Sequence, residues 1–414
     1  MQDDAHMILI LNSAIEHARK SPMYRNNLQD FGPIASLEEF AQFPLTTKND
    51  LRDSYPYANL AVDSKEVIEV HTTSGTTGKP TVSFLTKKDI ELTKKYISKA
   101  WRNFGINEES KVQFIMSYGL FSGAALNTYA IQDLGALVIP SGIQPTEKQV
   151  EIIKDFGVDT IVATPSYYLW LYDYLKKNDI DPSELGLKVG IAAGEVYSDE
   201  LKQRIGDLLK IRVYDHYGLC EVNTGIIYEC SVCGNMAVIK DYIYAEVVHP
   251  ETNDPMPLGE YGELVLTATM KEASPILRYK TGDSVAILNR SSTCEGCFGS
   301  TLVTRVKGRL DDTVFYKGLL ISPHEIRDFI VLKIHPLTIG GIKVQISTGE
   351  DDIIHEIRVV ISISSGKVGD DFISSLEHSL YTQSKVHIKI ELVDQSYFGD
   401  QTAAKSKLVE YVTR

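Results

Sequence analysis

His71-Thr-Thr-Ser-Gly-Thr-Thr-Gly-Lys-Pro80 lies between Val67-Ile-Glu-Val70, whose alternation reads as a strand, and a helical pattern that begins near Lys88. Glycines at a strand end let backbone N–H groups approach phosphate oxygens with no side chain in between. Thr72, Thr73, Ser74, Thr76 and Thr77 add hydroxyl donors, and Lys79 adds a positive charge. The stretch therefore predicts a polyphosphate-binding loop, a plain Ser/Thr/Gly surface turn being the alternative. Gly75-x-x-Gly78-Lys79-Pro80 does not have the spacing of a Walker A loop, nor that of the glycine fingerprint that opens a dinucleotide-binding helix.

Outward from the loop, strand and helix patterns alternate. Strands are expected at 111–117, 136–139, 158–163, 187–192 and 211–214, and helices at 123–133, 146–156, 166–177 and 198–209. This is the signature of a mostly parallel sheet flanked by helices, an α/β fold. An amphipathic helix is expected at 5–20, with Ala5, Ile8, Leu9, Ala14, Ile15 and Ala18 on one side. From Ile226 to Leu288, short apolar runs broken by Pro250, Pro255, Pro257, Gly259 and Gly262 predict a smaller antiparallel subdomain. Beyond a boundary at 309–312, a helix at 323–332, strands at 341–347 and 355–364, a helix at 369–381 and a strand at 385–393 predict a compact α+β cap. The expected organisation is thus a large domain over 1–309, including the antiparallel middle part, and a mobile C-terminal domain over 310–414.

The 414 residues are 43% apolar, enough to fill more than one core, and 42 Lys plus Arg against 55 Asp plus Glu leave a net charge of -13. That balance, with no long basic run, argues against nucleic acid as a partner. Neither a membrane-spanning stretch nor a secretory leader is legible, so a cytoplasmic location and no membrane partner are expected. Four of the five cysteines form two close pairs, Cys230-Ser-Val-Cys233 and Cys294-Glu-Gly-Cys297. Two thiolates from each turn suit a tetrahedral Zn²⁺ with no open position, hence a structural metal in the middle subdomain; free thiols or partial disulfides, and an iron–sulfur centre, are the alternatives.

Six motifs in order carry a resemblance over nearly the whole chain: Phe43-Pro-Leu-Thr-Thr-Lys-Asn-Asp-Leu-Arg-Asp-Ser-Tyr-Pro56, the loop at 71–80, Tyr118-Gly-Leu-Phe-Ser-Gly123, Tyr217-Gly-Leu-Cys-Glu221, Tyr279-Lys-Thr-Gly-Asp283 and Gly308-Arg-Leu-Asp-Asp312. The sequence resembles the adenylate-forming acyl- and aryl-CoA ligase superfamily, and within it the phenylacetate-CoA ligase group. The resemblance implies an ATP- and Mg²⁺-dependent, AMP-forming ligase that activates an aromatic carboxylic acid as its acyl-adenylate and transfers it to coenzyme A. Transfer to a carrier-protein thiol or an amine, and a noncatalytic adenylate-binding scaffold, are the alternatives; a homodimer is also left open.

The same resemblance assigns roles. Thr73, Ser74, Gly75, Thr76, Thr77, Gly78 and Lys79 follow the outer phosphates of ATP. Tyr217 lies against adenine with Asp215 and Gly218 nearby, Glu221 holds Mg²⁺, and Asp283 accepts from the ribose hydroxyls. Gly194 and Glu195, in Ala192-Ala-Gly-Glu195, approach the adenylate. Arg309 contacts phosphate or ribose, and Asp311 is a hinge. Lys405 is the adenylation lysine, with Lys407 as the alternative; Ala404 stands where relatives usually carry glycine, and Cys220 where they carry Thr or Ser. Tyr118, Phe121, Ser122 and Gly123, at the C-terminal end of an expected parallel strand, form a slot for a planar aryl acid.

Overall fold

In the computed structural model, residues 2–73, 79–316, 319–334, 338–348, 354–365, 369–398 and 408–413 are described. Packing divides the chain into two compact units, Met1–Gly142 with Val158–Val162 and Tyr214–Arg305, and Ile143–Gly157 with Ala163–Val213 and Val306–Arg414.

In the first unit, strand Lys111–Phe114 pairs in parallel with Leu137–Ile139 on one side and with Thr160–Ala163 on the other. Strand Lys111–Phe114 ends earlier than expected, so 115–121 is a loop that leads into helix Ser122–Gln132, whose first turn holds Ser122 and Gly123. A two-stranded antiparallel ribbon, Val67–Thr72 with Val82–Thr86, brackets the phosphate-loop candidate and feeds helix Lys87–Asn103. Thr86 and Asp89 start that helix with a reciprocal capping box. Antiparallel strands Ile243–Val248, Tyr261–Ala268 and Ile276–Asn289 build the expected middle part.

The N-terminal helix Gln2–Ala18 is present, but Leu9 is 70% exposed and the buried positions are Leu11, Ala14, Ile15 and Ala18. Ala5 is exposed as well, so the apolar face expected from sequence is rotated toward Leu11. The i, i+3, i+4, i+7 spacing of the true face packs against Tyr24, Leu28, Phe40, Phe43 and Leu277. The following segment joins strand Ile276–Asn289: the Thr46 N–H donates to the Arg278 carbonyl and the Lys280 N–H to the Thr46 carbonyl, both at 2.9 Å. This docking brings the half-exposed Lys48 beside Glu221.

In the second unit, helices Thr146–Phe156, Pro165–Lys177 and Asp199–Leu209 accompany strand Val189–Ala192. Its C-terminal part is a four-stranded sheet ordered Lys389–Val393, Ile354–Ser365, Thr338–Thr348, Val409–Thr413, antiparallel at the centre and parallel at both edges. Val344 and Ile346 face Ile357, Val359 and Ile361 on one side of the sheet, as a period of two requires, and Ile326, Ile330, Leu376 and Leu380 of two helices cover them. Asp328 accepts the Ser198 N–H at 2.6 Å, tying helix Pro323–Ile334 to the start of helix Asp199–Leu209.

Candidate nucleotide and acid site

Thr73 and Thr81 close the neck of the phosphate-loop candidate: the Thr73 N–H donates to the Thr81 carbonyl at 3.2 Å, and the Thr81 N–H donates to Thr73 Oγ1 at 3.1 Å. Ser74, Gly75, Thr76, Thr77 and Gly78 lie outside the described residues, while Lys79 beside them is exposed. From the neck, the Thr81 hydroxyl donates to Glu221 Oε1 at 3.2 Å. The Glu221 carboxylate therefore ties the loop's neck to the Tyr217–Glu221 motif.

Glu221 sits in the turn between strands Arg212–Leu219 and Asn223–Glu229 and is buried. Its Oε1 also accepts from the Tyr279 hydroxyl at 3.3 Å and faces Lys48 Nζ at 3.9 Å. Among the described residues every contact falls on Oε1, which leaves Oε2 as the oxygen for a hard cation; a carboxylate donor next to a phosphate loop has the chemistry Mg²⁺ requires. Behind the turn, buried Lys271 donates to the Glu221 carbonyl at 2.7 Å and to Ser83 Oγ at 2.8 Å, and burial pushes its pKa down to about 8. Lys48, Thr81 and Lys271 were not singled out from sequence. The Thr47-x-x-Asp50 capping box marks a helix start at Lys48, but nothing local says where that lysine points.

Gly218 is demanded by packing. A Cβ there would lie 2.4 Å from the Gly225 nitrogen and 2.6 Å from the Thr224 Cα, so the hairpin could not close over any other residue. Next to it, the Tyr217 hydroxyl donates to Asp283 Oδ2 at 2.6 Å, which brings the expected adenine and ribose residues together. Asp215 is engaged elsewhere, paired with Arg305, whose guanidinium also reaches Glu229 at 3.2 Å. Burial raises the Cys220 pKa, so this thiol stays protonated.

The loop before helix Ser122–Gln132 is held to the phosphate ribbon, since the Thr72 N–H donates to the Leu120 carbonyl at 2.9 Å. Tyr118 and Thr128 share a hydroxyl hydrogen bond of 2.8 Å, and burial raises the Tyr118 pKa. Phe121 remains 45% exposed and Ser122 is buried; a Cβ on Gly123 would meet Thr224 Oγ1 at 3.9 Å. A half-open aromatic edge next to small residues suits a flat apolar guest.

The remaining assigned residues belong to the second unit. Gly194 has a positive φ of 84°, and Glu195 accepts the Ser166 N–H at 3.1 Å and the Ser166 hydroxyl at 2.8 Å, at the N-terminus of helix Pro165–Lys177. Arg309 grips Asp311 with two bonds, at 2.8 and 2.9 Å. Lys405, Lys407 and Ala404 lie outside the described residues.

Away from this site, Cys230, Cys233, Cys294 and Cys297 place their four sulfurs within 4.8 Å of one another. The Cys230–Cys294 and Cys233–Cys297 separations are 3.8 and 3.7 Å, far beyond a disulfide bond. A tetrahedral Zn²⁺ with Zn–S bonds of about 2.3 Å has sulfur–sulfur edges of about 3.8 Å, so the cluster fits that ion. Asn103 links the two turns, donating to the Gly296 carbonyl at 2.8 Å and accepting the Ser231 N–H at 2.7 Å. Gly296 is obligatory: a Cβ would fall 2.8 Å from Cys230 Sγ.

His216, one residue before Tyr217, is buried with its ring edge-on to Trp101 and Phe104, and desolvation lowers its pKa to about 4. The unfolded chain takes up this proton near pH 6.5 and the folded chain only near 4, so stability from a neutral His216 is full above about 6.5 and falls with pH through the folded value. The expected loss is about 3 kcal/mol by pH 4. Urea unfolding of wild type and His216→Gln between pH 7 and 4 checks this: the difference in their stability slopes should fall in that window, and parallel slopes would exclude it.

The AMP-binding enzyme family matches residues 5–270. Among curated proteins, a phenylacetate-coenzyme A ligase of Pseudomonas putida is 38% identical over 340 residues, covering 80% of this chain and 76% of its own. Another, from Aromatoleum evansii, is 35% identical, covering 77% of this chain and 73% of its own. Among solved structures, 2-hydroxyisobutyryl-CoA ligase in complex with R3-HIB-AMP is similar at a TM-score of 0.89, with 23% identity, 99% of this chain covered and 89% of that one. The ordered motifs, the carboxylate joined to a phosphate-loop neck and the extent of these matches lead to one conclusion: the chain belongs to the AMP-binding enzyme family.

Proposed function

We propose that this chain activates an aromatic carboxylic acid with ATP and transfers the acyl group to coenzyme A. The observation that carries the reading is the meeting of the phosphate-loop neck, Glu221 and the Tyr217–Asp283 pair in one unit, in a chain 38% identical to a phenylacetate-coenzyme A ligase. In the first half-reaction a substrate carboxylate oxygen attacks the α-phosphorus, the bond to pyrophosphate breaks, and an acyl-adenylate forms. In the second, a thiol sulfur attacks the acyl carbon, AMP leaves with the bonding pair, and the thiol proton passes to solvent.

In this reading the 73–79 segment donates to the β and γ phosphates, and Tyr217 supports adenine. Asp283 orients the ribose by accepting from its diol while holding the Tyr217 hydroxyl. The Tyr118–Gly123 segment, a loop and the first turn of the helix after it, excludes water from the acid and holds its ring, which keeps reacting atoms close. Glu221 would hold Mg²⁺, which supplies charge that offsets the phosphates when bound. Lys405, or Lys407, offsets the charge developing between carboxylate and α-phosphate. Asp311, released from Arg309, is the hinge by which 310–414 changes position between the half-reactions. The four cysteines would hold a structural Zn²⁺. A tetrathiolate zinc site suits a reducing, cytoplasmic setting.

A panel of aromatic acids screened by acid-dependent pyrophosphate exchange tests the first half-reaction. Thioester and AMP formation with coenzyme A, against a carrier-protein thiol or an amine, tests the second. No exchange with any acid, despite ATP binding, would favour a scaffold. Asp283→Asn should raise KM for ATP about 10- to 100-fold, the worth of a charge-assisted hydrogen bond, with KM for the acid little changed. An unchanged KM for ATP would remove Asp283 from the nucleotide site.

A further inference from the structure

Lys271 breaks a pattern. The buried cations Arg278 and Arg327 each have a carboxylate partner, Glu246 and Asp328, and the partly buried Arg305 has Asp215. Lys271 is as deeply buried, only 4% exposed, yet among the described residues its Nζ bonds two neutral oxygens, the Ser83 hydroxyl at 2.8 Å and the Glu221 carbonyl at 2.7 Å. Burying an ammonium without a bonded counter-ion opposes folding, and an apolar side chain of similar length would serve the core better. Its presence there calls for a role other than stability.

The two acceptors indicate that role. Ser83 belongs to the strand that leaves the phosphate loop, and Glu221 ends the Tyr217–Glu221 motif. Lys271 is itself rigidly mounted: the Glu272 and Ala273 N–H groups donate to Asp89 at 2.6 and 3.0 Å, the Phe84 N–H donates to Ser274 Oγ at 3.0 Å, and the Ala61 N–H donates to the Ala273 carbonyl at 2.9 Å. A fixed ammonium thus joins the backbone carbonyl behind the Glu221 carboxylate to the Ser83 side chain on the strand that leaves the Thr73–Thr81 neck. A shift of a few tenths of an ångström in either would misplace groups that must meet a metal–nucleotide together.

We propose that Lys271 is a positioning residue of the nucleotide site, clamping the Glu221 turn to strand Val82–Thr86 so that the Glu221 carboxylate and the Thr73–Thr81 neck present one geometry to Mg²⁺–ATP. The inference rests on the ligase reading above. It extends that reading to a residue that touches neither substrate nor metal.

The test compares wild type with Lys271→Met, Lys271→Gln and Ser83→Ala. ATP binding is measured by calorimetry across a Mg²⁺ titration, and pyrophosphate exchange with the best acid of the panel is measured in parallel. Lys271→Met should weaken Mg²⁺-dependent ATP binding by roughly tenfold or more and raise the Mg²⁺ concentration at half-saturation. Its KM for the acid should be unchanged and its melting temperature equal or higher. Lys271→Gln, which keeps a donor, should recover part of the loss, and Ser83→Ala should lose about threefold to tenfold. Wild-type Mg²⁺ dependence in a folded Lys271→Met protein would overturn the proposal. If that variant does not fold, unchanged ATP binding in Ser83→Ala overturns it equally. Failure of the wild type to exchange with any acid would instead count against the ligase reading, while the calorimetric arm still decides the clamp.

Discussion

Glu221→Gln should reduce acid-dependent pyrophosphate exchange by about 10²- to 10³-fold, the size of effect that follows removal of one preorganised electrostatic group or metal donor from a phosphoryl-transfer site. The substitution is mild in shape. A carboxamide oxygen can still accept from Thr81 and Tyr279, so the turn that Lys271 holds from behind should persist. What disappears is the charge that Lys48 faces at 3.9 Å and that a hard cation requires. The loss should therefore appear as a need for much higher Mg²⁺ and a lower maximal rate, with a melting temperature close to wild type. Exchange kinetics over a Mg²⁺ series provide the measurement. Near-wild-type exchange at low Mg²⁺ would move the metal donor elsewhere and leave Glu221 a purely structural acceptor.

Cys297→Ser should remove bound zinc and destabilise the first unit by several kcal/mol, since free energy of metal binding to a site absent from the unfolded chain is free energy of folding. Cys297 is buried, and the Ser292 hydroxyl lies 3.3 Å from its sulfur, so the variant also leaves a packed polar pocket without its ion. Metal analysis should find about one zinc per wild-type chain and far less in the variant. Acid activation in any folded fraction should survive at permissive temperature, because a tetrathiolate ion has no open position for chemistry. Wild-type protein without zinc, carrying four thiols that titrate in the native state, would dismiss the metal.

Much of the architecture was legible because it is written in local periodicity. Helix Thr146–Phe156 begins and ends where the apolar spacing places it, and helix Pro165–Lys177 and strand Val189–Ala192 fall within two residues of their expected limits. Other elements escaped. Strand Val82–Thr86 is short and follows a proline, and its partner strand is needed to stabilise it. Strand Val409–Thr413 pairs in parallel with Thr338–Thr348 across a long separation, and a five-residue edge strand has no local signal strong enough to announce itself. The N-terminal helix was found but its face was misjudged, because Leu9 and Leu11 are equally apolar and only the position of Phe40, Phe43 and Leu277 selects Leu11.

Sequence alone determined the family, the order of the nucleotide motifs and the pairing of the cysteines, since each depends on residue identity at fixed short spacing. Tertiary structure decided the company that Glu221 keeps. Thr81, Tyr279, Lys48 and Lys271 reach it from four separate segments, through a ribbon neck, a long strand, a docked N-terminal stretch and a pinned loop. The physical reason is that a side chain's partners across a core follow from strand register and the docking of remote segments, and these emerge only when many weak local preferences are satisfied together.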